Sequence, residues 1–396
     1  MALQSSGKIR ASQIRAEFGA SGPSVIGKNY PEGSVSFGAY RDVSESHGGR
    51  TFTLDYDYNN NQPNIPRRGA TGSIKFSDFY NAKLNVVCAY GTPTGTGRGN
   101  IVLNKYNNNE GIFVIGNFKN KPNSTASDFK FVIYVHGILP SKRGNRNYCA
   151  LRTGKFNSEL EVNLIVGSGA RIYGAGGDGG HGGRWVSEDP PGDPGKNGTS
   201  AIGVQTNINV LRVEDGALVV AGGGGGGGGG GAKYIEENQT AGGGGGGGGA
   251  GLPPGRGGAA GEANPGDPDG TSGTDGSLFD PLQAGNGGNG GAHSSGNACG
   301  GGGGAGGSYF NDKRGSGGIG GEEETTVGTR KGGDGTQGSG GAGGDGGKGA
   351  AEGPDQNGQT GAEGGYAIIV ESGSSVSSTI TNSLVYGPIT FGGAVE

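Results

Sequence analysis

Long apolar runs, paired cysteines and tryptophan are all scarce in this chain, and each shortage removes a class of protein. No stretch approaches the ~20 apolar residues that a membrane-spanning helix needs, and the opening MALQSSGKIRAS lacks the apolar centre of a secretory signal. Synthesis in a reducing cytoplasm is the expectation. Cys88, Cys149 and Cys299 are too few and too scattered for a disulfide framework or a zinc site. A net charge of −4 gives no reason to expect a nucleic-acid partner. Proline numbers only 17 and the G-X-Y period is not sustained, which excludes collagen. Neither a phosphate-binding Gly-x-x-x-x-Gly-Lys-Ser/Thr loop nor a nucleophile elbow occurs. His47, His136, His181 and His293 stand apart in sequence. GGAGGDGGKGA lacks the large apolar residue that a calcium-binding repeat places after its aspartate, here Asp345, and NPGDPDG lacks EF-hand spacing. The expectation is a non-enzymatic protein without metal or cofactor. Paired carboxylates of a glycan-cleaving enzyme could still hide among the acidic segments.

What the chain has in excess is glycine, 99 of 396 residues. The stretch VVAGGGGGGGGGGAKYIEENQTAGGGGGGGGAG, residues 219–251, holds two nearly pure runs. Ordering a glycine costs roughly 0.5–1 kcal/mol more than ordering an alanine. Such runs are therefore either flexible linkers or structures in which no other residue fits.

Three regions follow from composition. Residues 1–82 contain short, turn-flanked modules (SSGKIRASQI, EGSVSFGAY, TGSIKFSDFY), with SQIRAEFG and FSDFYNA long enough for one or two helical turns. Residues 83–172 read as strands: LNVVCAY, NIVLNKY, GIFVIGNF, FKFVIYVHGIL, ELEVNLIVGSG and ARIYGAGG. In ELEVNLIV, Leu160, Val162 and Leu164 fall on one face, as in a half-buried strand. A β-rich, sandwich-like domain is expected here. From residue 173 to 396, glycine-rich segments alternate with polar and aromatic inserts. Two apolar segments, SAIGVQTNINVLRVEDGALVV and GGYAIIVESGSSVSSTITNSLVYGPITF, look like strands tying the glycine block back to the β domain.

The residues that interrupt glycine keep a period of three: Ala175, Asp178 and His181; Asn286, Asn289 and Ala292; Ser316, Ile319 and Glu322; Ser339, Ala342, Asp345 and Lys348. Neither an α-helix (3.6) nor a strand (2) has that period. The polyproline II helix does, rising about 3.1 Å per residue with its N–H and C=O groups directed outward. Polyglycine helices packed side by side can satisfy one another, provided no side chain intervenes. Pure runs then belong inside such a bundle, and G-G-X segments belong on its surface.

From about Glu159 onward the chain resembles the glycine-rich distal adhesins on the long tail fibres of T-even-type bacteriophages. The likeness rests on LEVNLIVGSGARIYGAGGDGGHGG, INVLRVEDGALVVAGGGGGGGGGG, the alternating inserts and glycine motifs, and GGYAIIV…SLVYGPI. It implies a sandwich of polyglycine II helices whose variable loops contact an outer-membrane protein or lipopolysaccharide. Those adhesins carry a tryptophan-rich attachment domain, whereas Trp185 is the sole tryptophan here. The opening modules instead resemble structural proteins of marine and cyanobacterial phages, which implies attachment to fibre or baseplate proteins through the N-terminal region.

The fold class expected is mostly β and irregular: small N-terminal modules, a β-rich domain and a C-terminal polyglycine II sandwich. Large apolar residues among the glycine segments are the expected receptor-binding anchors: Trp185, Tyr234, Leu278, Phe279, Tyr309 and Phe310. If consecutive helices run antiparallel, alternate inserts emerge at opposite ends, and only some of the six can share a face. A rigid virion connector without receptor contact is the alternative reading.

Overall fold

The computed structural model describes residues 6–13, 43–47, 50–54, 76, 85–90, 101–104, 111–113, 130–156, 161–184, 192–234, 237–277, 283–292, 298–309, 315–325, 328–331, 342, 344–351, 356–381 and 385–396. The mostly β and irregular class holds. Helical geometry among these residues is confined to 11–13 and Phe76, which lie at the starts of the two stretches expected to be helical. EGSVSFGAY lies outside the described residues.

The β part comprises β1 (Val43–His47), β2 (Arg50–Leu54), β3 (Asn85–Tyr90), β4 (Ile101–Asn104), β5 (Gly111–Phe113), β6 (Lys130–Val135), β7 (Ile138–Pro140), β8 (Cys149–Arg152), β9 (Glu161–Val166), β10 (Arg171–Tyr173), β11 (Ser200–Val204), β12 (Ile208–Val213) and β13 (Leu218–Val220). Six short strands follow within the glycine block: β14 (Ala232–Tyr234), β15 (Gln239–Ala241), β16 (Ala298–Cys299), β17 (Glu322–Thr325), β18 (Gly328–Lys331) and β19 (Ala350–Ala351). The chain then returns with β20 (Ile368–Glu371), β21 (Val376–Thr381), β22 (Val385–Tyr386) and β23 (Ile389–Gly393).

Outside the glycine block the strands form three sheets, in the orders β1-β2-β3-β6-β9-β12-β21, β22-β13-β10-β7 and β23-β20-β11-β8-β4-β5, while β14–β19 pair off in three two-stranded sheets. From β6 onward the chain visits the first, second and third sheet in turn, four times over. Every pairing among those turns is parallel. The result is a three-sided winding and not a sandwich of two sheets. Like residues stack through it: Ile133, Leu164 and Leu211 in one column, Leu139, Ile172 and Val219 in the next, Leu151, Ile202 and Ile368 in the third, all essentially buried. Val162 and Leu164 do share a buried face, but Asn163 and Ile165 on the other face are buried too. The half-buried pattern expected for this strand is thus replaced by burial on both faces, as parallel sheets require. The first corner of successive turns is set by Gly137, Gly169 and Gly216, with φ of 85°, 76° and 79°. A side chain would be strained in that left-handed region.

The next corner, between the second and third sheets, takes everything that is unusual. It is residues 141–148 in one turn, 174–199 in the next and 221–367 in the third. The two long excursions form the glycine bundle. Its root continues the ladder of the second sheet, since Ser141 N–H bonds Tyr173 O, Gly174 N–H bonds Val220 O and Ala221 N–H bonds Tyr386 O, at 2.8–2.9 Å. Tyr173, Val220, Ala250 and Ala284 seal the junction, with Ile138, Leu218, Leu252 and Tyr386 packed around them.

Within the bundle the period-three expectation is met bond by bond. Gly222, Gly225 and Gly228 donate to Thr199, Lys196 and Asp193; Gly223, Gly226 and Gly229 donate to Ala250, Gly247 and Gly244; Gly227 and Gly230 donate to Gly344 and Gly347. The carbonyls of the same run accept from three further segments, for example Gly177 on Gly223, Gly307 on Gly224 and Ala362 on Gly225. The run 222–231 therefore has six neighbours, and so does 242–250. With 300–308 these make three mutually touching inner segments. Among the described residues, eight outer segments (174–183, 192–198, 255–261, 270–276, 284–292, 315–321, 344–349 and 356–365) are bonded around them.

Glycine content follows neighbour number. Inner segments are nearly pure glycine. Segments 174–183 and 284–292, each bonded to two inner neighbours, keep one residue in three free for a side chain. Segments 192–198, 270–276 and 358–364, each with one inner neighbour among the described residues, relax further, to GDPGKNG, GTSGTDG and GQTGAEG, whereas 315–321 keeps the strict pattern as GSGGIGG. The free residues are not idle. Asp178 and His181 accept the N–H groups of Arg256 and Ala259; Thr274 and Thr271 accept those of Asn286 and Asn289; Asn286 and Asn289 accept those of Ser316 and Ile319, all within 2.6–3.0 Å. Short polar side chains thus complete the backbone pairing where the lattice ends.

A Cβ on Gly226 would sit 2.2 Å from Gly304 O. Gly226→Ala should lower stability by more than the ~1–3 kcal/mol typical of overpacking, because backbone and not side chain must yield. The outward Lys348→Ala should melt like the parent, and a calorimetric scan of both variants checks the pair.

Candidate functional site

Consecutive segments of the bundle run in opposite directions, so its connections divide between two ends. Among the described residues, the near end faces the winding and holds 251–254, Ser277, Gln283 and Tyr309, and the far end holds Arg184, 232–234, 237–241, 262–269, 298–299, 322–325, 328–331 and 350–351.

The near end is a closed junction. Arg143 donates to Pro254 O and lies 3.6 Å from Asp178, while Arg146 bonds Glu363 and stacks 4.1 Å over the Tyr366 ring. Tyr309 belongs here: its hydroxyl donates to Gly365 O at 2.5 Å, and burial pushes its pKa up to about 12. Ser277 N–H bonds Gln283 O at 2.7 Å at the same end. Leu278 and Phe279, which lie between them in sequence, are outside the described residues, as is Phe310. Burial likewise raises the Cys149 thiol to about 12, so it has no nucleophilic character at neutral pH.

At the far end the inner pair 222–231 and 242–250 is joined by the β14–β15 hairpin, turned at Asn238 with φ of 55°. Both its stems are inner segments, so this hairpin rises from the interior of the lattice, beside β16 and β19. An alanine cluster closes the lattice beneath it: Ala232, Ala241 and Ala298 are fully buried, with Ala351 packed on them. β16 and β19 pair across it, joining Ala298 to Ala351 and Cys299 to Ala350. Gln356 performs the last exchange of the lattice, its carbonyl oxygen accepting Gly231 N–H and its amide donating to Arg184 O, both at 3.2 Å.

The 262–269 connection is fastened to the hairpin. Asp267 Oδ2 accepts the N–H and the hydroxyl of Thr240 at 2.8 and 2.9 Å. The Thr240 hydroxyl accepts Asn264 N–H at 2.7 Å, and the Asn264 side chain donates to Asn238 O. Arg184 pairs with Glu262 at 2.8 Å on the rim. Glu237, Glu262, Asp267 and Asp269 lie here with Arg184 and Lys233, and Glu322 pairs in register with Lys331 across β17 and β18. The cations Lys142, Arg143 and Arg146 stand at the opposite end.

Of the six expected anchors, Tyr234 lies on the central hairpin, half-buried. Trp185 directly follows Arg184 of the rim and is outside the described residues. Tyr309 is at the near end. Sequence reasoning missed Gln356, Thr240 and Asp267. No periodicity marks them, because their partners are 125 and 27 residues away. No group of three or more histidine, cysteine, aspartate or glutamate residues among the described ones is placed to hold a metal ion.

Tyr309 gives this geometry a pH signature. Its folded pKa lies above the ordinary value of 10, so the unfolded chain loses the proton first. The contribution of Tyr309 is complete below pH 10 and should decline as pH rises toward 12. Tyr309→Phe should cost about 1 kcal/mol at neutral pH and flatten that alkaline decline, which melting curves between pH 8 and 12 would follow.

No curated protein and no solved structure matches this chain. The family model for Phage tail fibre adhesin Gp38 does match, over residues 99–298, from the winding through the central hairpin to the alanine-capped far end. The chain belongs to the phage tail fibre adhesin family.

Proposed function

We propose that this tail fibre adhesin recognises its host through the far end of the glycine bundle, with an outer-membrane protein or lipopolysaccharide as receptor. The observation that carries this reading is the position of the β14–β15 hairpin: a polar, aromatic-bearing element held at the far end by two inner segments, each bonded to six neighbours. Affinity concentrates near the centres of interfaces, and preorganised loops lose little entropy on binding. Trp185 and Tyr234 are the aromatic residues proposed for contact. Tyr309 lies at the near end, and it is proposed to contribute less, as are Leu278, Phe279 and Phe310, which follow near-end residues in sequence. Residues 1–82 are proposed to attach the adhesin to fibre or baseplate proteins, with the host cytoplasm as the place of synthesis.

The purified chain should compete with phage for adsorption to intact host cells. Lys233→Ala combined with Tyr234→Ala should weaken that competition about tenfold or more, the effect of removing a central anchor. Full competition by the double variant would remove the tip from receptor binding and leave the molecule a connector. Raising the salt concentration should slow adsorption if charge complementarity contributes.

A further inference from the structure

The bonds between the central hairpin and the 262–269 connection are of a different kind from those elsewhere in the bundle. Most described bonds elsewhere join backbone to backbone or have an outer side chain accept one N–H, the side-chain donors Gln356 and Tyr309 being exceptions. Here one carboxylate oxygen, Asp267 Oδ2, takes both the N–H and the hydroxyl of a fully buried threonine, and that hydroxyl in turn accepts Asn264 N–H. The turn of the connection is closed on itself by Asp267 N–H to Asn264 O at 2.9 Å and by Ala263 N–H to Asp269 Oδ1 at 2.7 Å. Asn264 then reaches across to Asn238 O at the tip of the hairpin turn. The base and the tip of the hairpin are therefore both held by the same neighbouring loop.

The hairpin needs such a brace. β14 and β15 share only three register pairs, Ala232 with Ala241, Lys233 with Thr240 and Tyr234 with Gln239. An isolated two-stranded hairpin is marginal in water. The lattice holds its stems, but only as far as Gly231 and Gly242. Above them, the direction in which Lys233 and Tyr234 are presented depends on what Thr240 is tied to, because Thr240 is the cross-strand partner of Lys233.

We propose that Asp267 is a positioning residue for receptor recognition. Through Thr240 it fixes the angle of the central hairpin, so that the hairpin and the 262–269 connection form one recognition element instead of two independent loops. This rests on the proposal that the far end binds the receptor. It follows that the two connections determine specificity together: exchanging residues 233–240 alone for the corresponding segment of a relative with another host range would separate Thr240 from its brace, whereas exchanging 233–240 and 262–269 as a pair would preserve it.

The test uses the full chain, fluorescently labelled, and intact cells of a strain that the phage adsorbs to. Asp267→Ala should weaken cell binding roughly tenfold, the scale of losing hydrogen bonds to a charged acceptor, at temperatures well below its melting transition. Asp267→Asn should restore most of the binding, because an amide carbonyl can still accept both Thr240 donors. Thr240→Val should weaken binding to a similar degree and add little in combination with Asp267→Ala, since both remove one interaction. Should Asp267→Ala prove poorly folded, Thr240→Val, which preserves side-chain volume, carries the test alone. Unchanged binding by Asp267→Ala, or by Thr240→Val where that variant stands alone, overturns the proposal, while reduced binding by Lys233→Ala with Tyr234→Ala would leave the far-end reading standing. If that hairpin double variant also binds normally, the far-end reading itself fails. Equal loss in Asp267→Asn and Asp267→Ala would overturn the positioning role and place the carboxylate charge directly on the receptor.

Discussion

One steric fact governs this molecule: a glycine backbone can lie so close to its neighbours that a single added methyl group would overlap a carbonyl oxygen. At inner positions a Cβ would fall about 2 Å from the facing oxygen, as at Gly223, Gly226 and Gly244. That closeness brings most inner N–H and C=O groups within bonding range of a neighbouring segment. Each bond is worth a net ~0.5–1.5 kcal/mol, comparable to the ~0.5–1 kcal/mol by which ordering glycine exceeds ordering alanine. Leaving the same groups buried without partners would cost about 1–3 kcal/mol each. The bundle is stable because pairing is nearly complete, and it needs no apolar interior.

The same fact explains the division of labour along the chain. A lattice made of backbone has no side chains with which to recognise anything, so chemical variety is confined to its ends and outer surface. On the surface it is spent on short acceptors such as Asp178, Thr274 and Asn289, which finish the bonding. The near end is occupied by the junction around Tyr309, Arg146 and Glu363. The far end carries the central hairpin and the 262–269 connection bonded to it. It is also the place where the lattice must be closed, and Ala232, Ala241, Ala298 and Gln356 do so with the smallest apolar groups and one bifunctional amide.

The winding supplies what the lattice cannot, a conventional aliphatic core and a fixed base. Its repeat is visible once aligned: the corners VHGI, VGSGARI and VEDGALV recur with glycine at positive φ. It is concealed in the sequence because the two excursions, 174–199 and 221–367, split the turns that carry them. Strand stretches such as FKFVIYVHGIL and ELEVNLIVGSG are legible from their β-branched runs. Their rotation among three sheets is not, since strand-forming residues carry no signal of which sheet they enter. For the same reason Asn163 and Ile165 look like a solvent face in sequence and are buried in the fold.

What the sequence determines by itself is the lattice. The period of three, the purity of residues 222–231 and the looser GTSGTDG and GQTGAEG specify how many neighbours each segment has, because every neighbour forbids a Cβ on one side. What tertiary structure alone decides is that consecutive segments run antiparallel, and which connections meet. The count of segments between two inserts settles the end, separating Tyr309 from Tyr234 although both are aromatic residues flanked by glycine. The meeting of Thr240 with Asp267, and of Gly231 with Gln356, depends on the lattice position of whole segments. Local sequence cannot encode such pairs, because the bonds that place them are made by a backbone identical at every glycine.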